Sequence, residues 1–341
     1  MRLLLVLPFV ALTFLSWGIY GPVLHLGQNA MDGSSLRPFI CVGLAYFLVA
    51  VVIPLGVLRS RGETGHWTTG GTFWSLSAGV AGAIGALGIV LAFKNGGQPA
   101  YVMPLVFGLA PVVNTFTTMT MTRTYKEASA IFYVGVLLVV TGAAGVLYFN
   151  AGGTESNVGT LSIVEFPIVL LSIALTALCW GAYGPVLHKG QMKMGGSRLR
   201  PFLCVGLAYF LIAVIVPAVV LGVWPEPGEW SISGVLYSLV AGSAGAVGAL
   251  GIILAFNFGG KPVFVMPLVF GGAPVVNTFS TLLGQGKISQ APVMFFVSLG
   301  LVILGAVTVL VFAPKTKNTA PRNEVNPEVT DQPVEDDHRV E

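Results

Sequence analysis

The sequence predicts an all-α integral membrane protein whose ten transmembrane helices form two inverted repeats of five helices each. Three observations lead to this fold class: an apolar composition, an ungapped internal duplication and an uneven distribution of cationic residues. Of the 341 residues, 55% are hydrophobic and 9% are charged, whereas a soluble domain carries about 25% charged residues. The chain therefore has too few charges to cover a water-exposed surface, and its apolar segments are expected in a bilayer.

Apolar segments long enough to cross about 30 Å of hydrocarbon, roughly 20 residues each, recur over the whole chain. The first segment starts like a signal peptide, but its second part recurs later inside another span, so it is predicted to be a permanent helix. The predicted spans of the first half are residues 4–24, 37–58, 72–93, 99–121 and 129–149, and those of the second half are residues 166–187, 200–223, 232–256, 262–283 and 291–313.

The second half of the chain repeats the first half without a gap. Residues 17–25 read WGIYGPVLH and residues 180–188 read WGAYGPVLH, an offset of 180 − 17 = 163 residues. At this offset, 15 of 19 positions are identical between residues 98–116 and 261–279. The predicted units are a first five-helix repeat at residues 1–150, a second at residues 151–313, and a disordered cytoplasmic tail at residues 314–341.

Five spans per repeat is an odd number, so the second repeat is expected to enter the membrane from the opposite side, as in many secondary transporters. With the N-terminus in the cytoplasm, 14 of the 17 Lys and Arg residues fall on the cytoplasmic side. Only Arg37, Lys94 and Lys287 fall on the other side. This distribution follows the positive-inside rule. We therefore expect a multi-pass protein of the cell membrane with both termini in the cytoplasm.

Several short motifs resemble those of the drug/metabolite transporter superfamily, and of its EamA-type permeases in particular. They are a Trp-Gly pair in the first helix of each half, Leu36-Arg37-Pro38-Phe39, Ala92-Phe93-Lys94, Ala110-Pro111-Val112 and the stretch from Gly135 to Gly142. The resemblance covers residues 4–313 and implies a ten-helix permease. The Gly-Glu-Arg motif that the family often has after its fourth helix is replaced here by Tyr125-Lys126-Glu127. The resemblance therefore does not imply a particular substrate.

The fourth and ninth spans each contain two prolines. Pro104 and Pro111 lie seven residues apart, and Pro267 and Pro274 repeat them. Proline removes a backbone donor from a helix and disturbs the preceding turn, so kinks are predicted at all four positions. Within a bilayer, the carbonyls that lose their partners need another donor or a water-lined cavity.

Phe107 and Asn114 lie on the same helical stripe as these prolines, and Phe270 and Asn277 repeat them. An Asn side chain both donates and accepts hydrogen bonds, which suits a polar ligand. These four residues are candidate substrate contacts. The alternative is that each Asn bonds a neighbouring helix, as is common in membrane bundles.

The first and sixth spans carry aromatic residues with a polar tip, Trp17 and Tyr20, repeated as Trp180 and Tyr183. Such side chains can stack on a ligand and orient it in a mostly apolar pocket. We count all four as candidate substrate contacts. The alternative is that they anchor the helices at the membrane interface, where Trp and Tyr are enriched.

Four cationic or titratable residues lie where spans begin or end: His25, Arg37, His188 and Arg200. They are predicted to be interfacial, and a role in gating or in contact with an anion is the alternative.

No Asp or Glu lies inside a predicted span, whereas exporters that exchange protons for cationic drugs use a carboxylate within the membrane. We therefore expect a secondary transporter that moves a small neutral or anionic polar metabolite by alternating access. The alternatives are a non-transporting membrane sensor or scaffold, and an exporter of hydrophobic or lipid-like compounds.

No catalytic cluster, metal site or cofactor motif is recognised, so we expect no enzymatic activity, no metal and no cofactor. The expected partners are the lipid bilayer and a small-molecule substrate, with a homodimer left open. Nucleic acid is not expected as a partner.

Overall fold

The computed structural model describes residues 2–149, 161–258 and 262–314, and these residues form helices joined by short loops with no strand among them. Within these described ranges, ten helical segments are long and apolar enough to cross a membrane. The predicted number and type of elements is therefore confirmed. The predicted tail lies outside the described residues, apart from its first residue, Pro314.

The helices of the two halves begin at equivalent positions. The first half contains α1 (Arg2–Asn29), α2 (Leu36–Phe47), α3 (Ile53–Arg61), α4 (Thr69–Lys94), α5 (Pro99–Thr122) and α6 (Ala130–Tyr148). The second half contains α7 (Glu165–Lys193), α8 (Leu199–Phe210), α9 (Val216–Val223), α10 (Ile232–Asn257), α11 (Pro262–Gly284) and α12 (Val293–Val311). Each helix from α7 to α12 starts 163 residues after its counterpart, so the duplication in the sequence is matched by a duplication of secondary structure.

The first helix of each half is longer than predicted. α1 continues to Asn29 and α7 to Lys193, whereas the predicted spans ended at residues 24 and 187. Hydropathy detects only the apolar part of a helix, whereas the helix itself ends where the backbone conformation changes. After α1 that change is the left-handed conformation of Asp32 and Gly33, with φ of 54° and 74°.

The second span of each half is divided by a wide turn. Leu48–Val52 is a π-helical turn between α2 and α3, and Leu211–Ile215 is its counterpart between α8 and α9. Pro54 and Pro217 follow directly, near the start of the next helix. Proline lacks a backbone N–H and crowds the turn before it. A local π turn lets the helix continue past it.

The two halves interdigitate. α1 packs against α10 and α11, and α7 packs in the same way against α4 and α5. α2 likewise packs against α10, α8 against α4, and α6 against α12. The largest hydrophobic core cluster contains buried residues from both halves. The first helix of each repeat is thus held mainly by the third and fourth spans of the other repeat.

Glycines make this close packing of helices sterically feasible. A Cβ added to Gly85 of α4 would overlap the indole ring of Trp180 on α7. A Cβ added to Gly248 of α10 would overlap the indole ring of Trp17 on α1. Small residues at such positions let two backbones approach closely, which favours association of helices in a membrane.

A loop carboxylate of each half binds the start of a helix in the other half. Glu226, in the loop after α9, accepts hydrogen bonds from the N–H groups of Ser35 and Leu36 at 2.9 Å each. Glu63, 163 residues earlier, accepts them from Arg198 at 2.9 Å and Leu199 at 3.2 Å. Both carboxylates satisfy donors that a helix N-terminus leaves free, and their negative charge is favourable there.

Candidate functional site

A cavity lies between the two halves and is lined mainly by aromatic side chains. It contains about 640 Å³ of empty space, part of which is open to solvent. The lining residues are Trp17, Tyr20, Tyr46, Gly82, Phe107, Trp180, Tyr183, Tyr209, Gly245, Ala249 and Phe270.

Ten of these eleven lining residues form five pairs related by the offset of 163: Trp17 and Trp180, Tyr20 and Tyr183, Tyr46 and Tyr209, Gly82 and Gly245, and Phe107 and Phe270. Each pair places the same side chain on both sides of the cavity. The two halves therefore contribute almost equally to one site, and neither half forms it alone.

Both indole groups are fixed by backbone carbonyls of the opposite half. The Nε1–H of Trp17 donates to the carbonyl oxygen of Gly245 at 3.1 Å, and that of Trp180 donates to Gly82 at 3.1 Å. One turn earlier on each helix, Thr13 donates to the oxygen of Gly248 at 3.1 Å. Thr176, its counterpart, donates to Gly85 at 3.0 Å. The indole rings are thus held at defined positions, with their only donors already used.

Two aromatic pairs across the cavity consist of a residue and its own counterpart. The rings of Tyr46 and Tyr209 stack with centroids 3.8 Å apart and planes 3° from parallel. Phe107 and Phe270 meet edge to face, with centroids 6.4 Å apart. The edge-to-face contact is a favourable geometry for an aromatic pair, whereas the Tyr46–Tyr209 stack is closer than the usual centroid distance of about 4.5–7 Å.

Apart from the two indole N–H groups, the polar side-chain groups of the lining are the hydroxyls of its tyrosines. Tyr20 is 4% exposed, and its hydroxyl has no hydrogen-bond partner among the described residues. Its ring lies edge-on to Trp180, with centroids 6.0 Å apart. An unsatisfied buried hydroxyl costs about 1–3 kcal/mol. A bound molecule that forms a hydrogen bond with this hydroxyl would remove that cost.

Six of the eight predicted substrate contacts line the cavity: Trp17, Tyr20, Phe107, Trp180, Tyr183 and Phe270. The two asparagines are not among the lining residues. Asn277 is fully buried and donates through Nδ2 to the carbonyl oxygen of Pro99 at 2.8 Å. This is the helix-to-helix hydrogen bond that the sequence left as an alternative. Asn114 is half-buried and lies against Gly184 of α7.

The four prolines of the predicted kinks lie within continuous α-helix. α5 runs through Pro104 and Pro111, and α11 runs through Pro267 and Pro274. The hydroxyl of Thr115 donates to the carbonyl oxygen of Pro111 at 3.0 Å. The helical backbone therefore tolerates these prolines without a break in α5 or α11.

The residues predicted at span ends lie outside the cavity lining. Arg37 donates to the carbonyl oxygen of Pro227 at 3.1 Å, and Arg200 donates to that of Thr64, the counterpart of Pro227, at 3.1 Å. His25 is half-buried and edge-on to Phe93, whereas His188 is exposed. Both arginines thus take part in the loop contacts of Glu226 and Glu63.

Tyr46 and Tyr209 were not predicted from the sequence as site residues. They lie in an identical segment of eight residues, 41–48 and 204–211. A tyrosine in the middle of an apolar span, repeated with all its neighbours, was a signal for them. The loop acids Glu63 and Glu226 were also missed, although they are counterparts at the offset of 163, as are Gly65 and Gly228 and Trp67 and Trp230 in the same loops.

Hydrogen-bond donors around the carboxyl group of Glu226 favour its charged form. Burial of this carboxyl, whose side chain is 9% exposed, would raise its pKa. Hydrogen bonds from the N–H of Leu36, from the Lys94 ammonium at 2.6 Å, and from Ser35 and Ser34 outweigh burial and lower the pKa to about 2. The cluster around Glu63 differs, because the counterpart of Lys94 is Asn257. The Arg200 guanidinium lies 3.6 Å from the Glu63 carboxylate.

Among the described residues, no group of three or more His, Cys, Asp or Glu is arranged to hold a metal ion. The three cysteines are free, with Cys41 and Cys204 buried and Cys179 half-buried.

No protein-family model matches the chain, and no curated protein sequence matches it. Solved structures do match. One of them, described only as "Crystal structure of protein", superposes with a TM-score of 0.58 over 90% of this chain and 97% of its own, at 17% sequence identity. At this identity the similarity concerns the fold alone.

Proposed function

We propose that the protein is a secondary transporter that carries a small uncharged metabolite across a membrane by alternating access, with the paired aromatic cavity as its substrate site. The observation that carries the proposal is that both repeats contribute the same residues to one central cavity. A site at the interface of two structural repeats is typical of such carriers, because one repeat can rock against the other around it. The resemblance to EamA-type permeases agrees with this function.

The loop contacts support an inverted arrangement of the repeats. Ser35 and Glu63 lie at the two ends of the second span. Glu63 contacts Arg198, the counterpart of Ser35. Equivalent loops of the two halves therefore belong at opposite ends of the bundle, as an inverted repeat in a bilayer requires. With both termini cytoplasmic, the Glu226 cluster is on the outer side and the Glu63 cluster on the cytoplasmic side.

These two clusters are the candidate gates of the carrier. Each one joins a loop of one repeat to a helix start of the other, so rocking of the repeats would open one cluster while the other stays closed. This arrangement requires no energy-coupling domain in the chain.

The proposal can be tested without knowing the substrate. Cys41, Cys179 and Cys204 are replaced by Ala, and Ala249→Cys then places one thiol in the cavity lining. In vesicles of defined orientation, a membrane-impermeant maleimide is added on one side or on the other. We expect labelling from both sides, because an alternating carrier exposes its site to each side in turn.

Two matched pairs then lock one gate at a time. At the outer gate, Ser34→Cys and Glu226→Cys are bridged by a short bifunctional thiol reagent before the maleimide is added to the Ala249→Cys protein. At the inner gate, Ser197→Cys and Glu63→Cys form the equivalent pair. Bridging the outer pair should leave labelling only from the cytoplasmic side, and bridging the inner pair only from the outer side. Alternating access would be ruled out if the unbridged protein and both bridged proteins were all labelled from one and the same side.

A further inference from the structure

The polar groups of the cavity limit what it can bind. Among the residues that the structure describes, the lining contains no Asp, Glu, Lys, Arg or His. A charged ligand would therefore lose its hydration without gaining an opposite charge, which is strongly unfavourable in an apolar site. The site favours an uncharged ligand.

The indole N–H groups of the site are not available to a ligand. Trp17 and Trp180 use their only donors on the carbonyl oxygens of Gly245 and Gly82. What both residues present to the cavity is therefore ring surface. The same holds for Phe107 and Phe270, whose ring centroids lie 6.4 Å and 6.3 Å from those of Trp180 and Trp17.

Hydroxyl groups are the remaining polar side-chain groups of the lining. Tyr20 provides a hydroxyl that is buried and without a partner among the described residues. Tyr183 is its counterpart on the opposite side. A ligand with one hydroxyl, amide or ring N–H could bond Tyr20, while its ring stacks on the neighbouring aromatic surfaces.

We infer that the cavity selects uncharged molecules that combine an aromatic ring with at least one hydrogen-bonding group, and that the hydroxyl of Tyr20 recognises that group. The inference rests on the proposed function only in that the cavity is the substrate site. It excludes organic anions, organic cations and sugars from the expected ligands.

A series of four probes with one ring and different polar ends tests the ligand class on the purified full-length protein: 2-phenylethanol, ethylbenzene, phenethylamine and phenylacetate. Binding is measured by equilibrium dialysis and by thermal stabilisation at pH 7. We expect 2-phenylethanol to bind most tightly. Ethylbenzene lacks the hydrogen bond and should bind roughly two- to tenfold more weakly. The cation and the anion should bind more than about tenfold more weakly because of their desolvation.

Tyr20→Phe tests the role of the hydroxyl, because it removes that group and keeps the ring. It should reduce the preference for 2-phenylethanol over ethylbenzene to nearly one, without weakening ethylbenzene. Tyr237→Phe is the control, since Tyr237 is 43% exposed and outside the cavity lining. Ala249→Leu, which fills part of the cavity, should weaken every probe and thereby show that the probes bind there.

The inference is overturned if phenylacetate or phenethylamine binds as tightly as 2-phenylethanol, if none of the four binds, or if Tyr20→Phe leaves the preference unchanged. These outcomes are separate from the test of transport. Selective binding without two-sided labelling of Ala249→Cys would support the ligand class and reject the carrier. Two-sided labelling without selective binding would support the carrier and reject the ligand class.

Discussion

The ring of Tyr46 stacks on the ring of Tyr209, its own counterpart in the second repeat, with centroids 3.8 Å apart. Two equivalent residues touch each other only near the axis of a two-fold relationship, as at the centre of a symmetric dimer interface. Phe107 and Phe270 also meet in this way, as do Phe47 and Phe210, with centroids 6.4 Å and 4.6 Å apart. The first two pairs line the cavity, so such an axis would pass through the proposed substrate site.

The Tyr46–Tyr209 stack is expected to couple the two repeats energetically. In a double-mutant cycle with Tyr46→Leu and Tyr209→Leu, we expect a coupling free energy of about 0.5–1.5 kcal/mol. The measurement is chemical unfolding of the protein in detergent. Tyr133→Leu with Tyr237→Leu is the control cycle, because both residues are exposed and their helices, α6 and α10, do not pack extensively against each other. A coupling of zero for the first cycle would contradict a stabilising stack.

Gly85→Ala should destabilise the contact between α4 and α7. The added Cβ would overlap the indole ring of Trp180, and overpacking of this kind costs about 1–3 kcal/mol. The melting temperature in detergent should therefore fall. Gly56→Ala in α3 is the matched control, because a Cβ there meets nothing within 4 Å. Alanine is the better helix former, so this variant should be neutral or slightly stabilised. Equal melting temperatures for the two variants would contradict the close contact.

Acid should weaken the cluster at Glu226. Its folded-state pKa of about 2 lies below the value of about 4.3 for an unperturbed Glu. The stabilisation is therefore present above about pH 4.3 and is lost as the pH falls towards 2. Glu226→Gln, which keeps the shape but removes the negative charge, should lower the melting temperature at pH 6 and flatten its fall between pH 5 and 3.

The charged groups facing Glu226 are Lys94, which is 44% exposed, and Arg37, which donates to its backbone carbonyl oxygen. Lys94→Asn introduces the residue that the other repeat has at this position, Asn257. It should lower the melting temperature less than Glu226→Gln does, because partly exposed ion pairs contribute about 0.2–1 kcal/mol. Glu229→Gln is the control, since Glu229 is exposed. An identical pH dependence of Glu226→Gln and the unaltered protein would show that Glu226 is not the group that titrates.

Inverted repeats place equivalent loops on opposite sides of the membrane. Asn29 and Met192 are counterparts, 163 residues apart, and both are exposed. In a cysteine-free protein, Asn29→Cys should react with an impermeant maleimide added outside intact cells, and Met192→Cys only after permeabilisation. Labelling of both from the same side would show parallel rather than inverted repeats, and reversal of the two would place both termini outside.

Much of this architecture follows from the sequence. The ten helices follow from the length of the apolar segments, because about 20 residues are needed to cross a bilayer as a helix. Their duplication follows from the offset between Trp17 and Trp180, and identical segments fold alike. Six of the eight predicted contacts line the cavity. Trp17, Tyr20 and their counterparts were predicted because they are polar-tipped aromatic side chains in an apolar span, and Phe107 and Phe270 because they share a helical stripe with the paired prolines.

What only the tertiary structure decided is which residues meet across the two repeats. Asn277 has the polarity expected of a ligand contact, but the packing of α11 against α5 directs its amide to the carbonyl oxygen of Pro99 instead. Tyr46 enters the site because α2 packs against α10 and α8, which hydropathy does not specify. Hydrophobic patterning fixes that a helix is buried, whereas the neighbour of each side chain depends on how two helices approach, and at Gly85 and Gly248 that approach is set by the absence of a single Cβ.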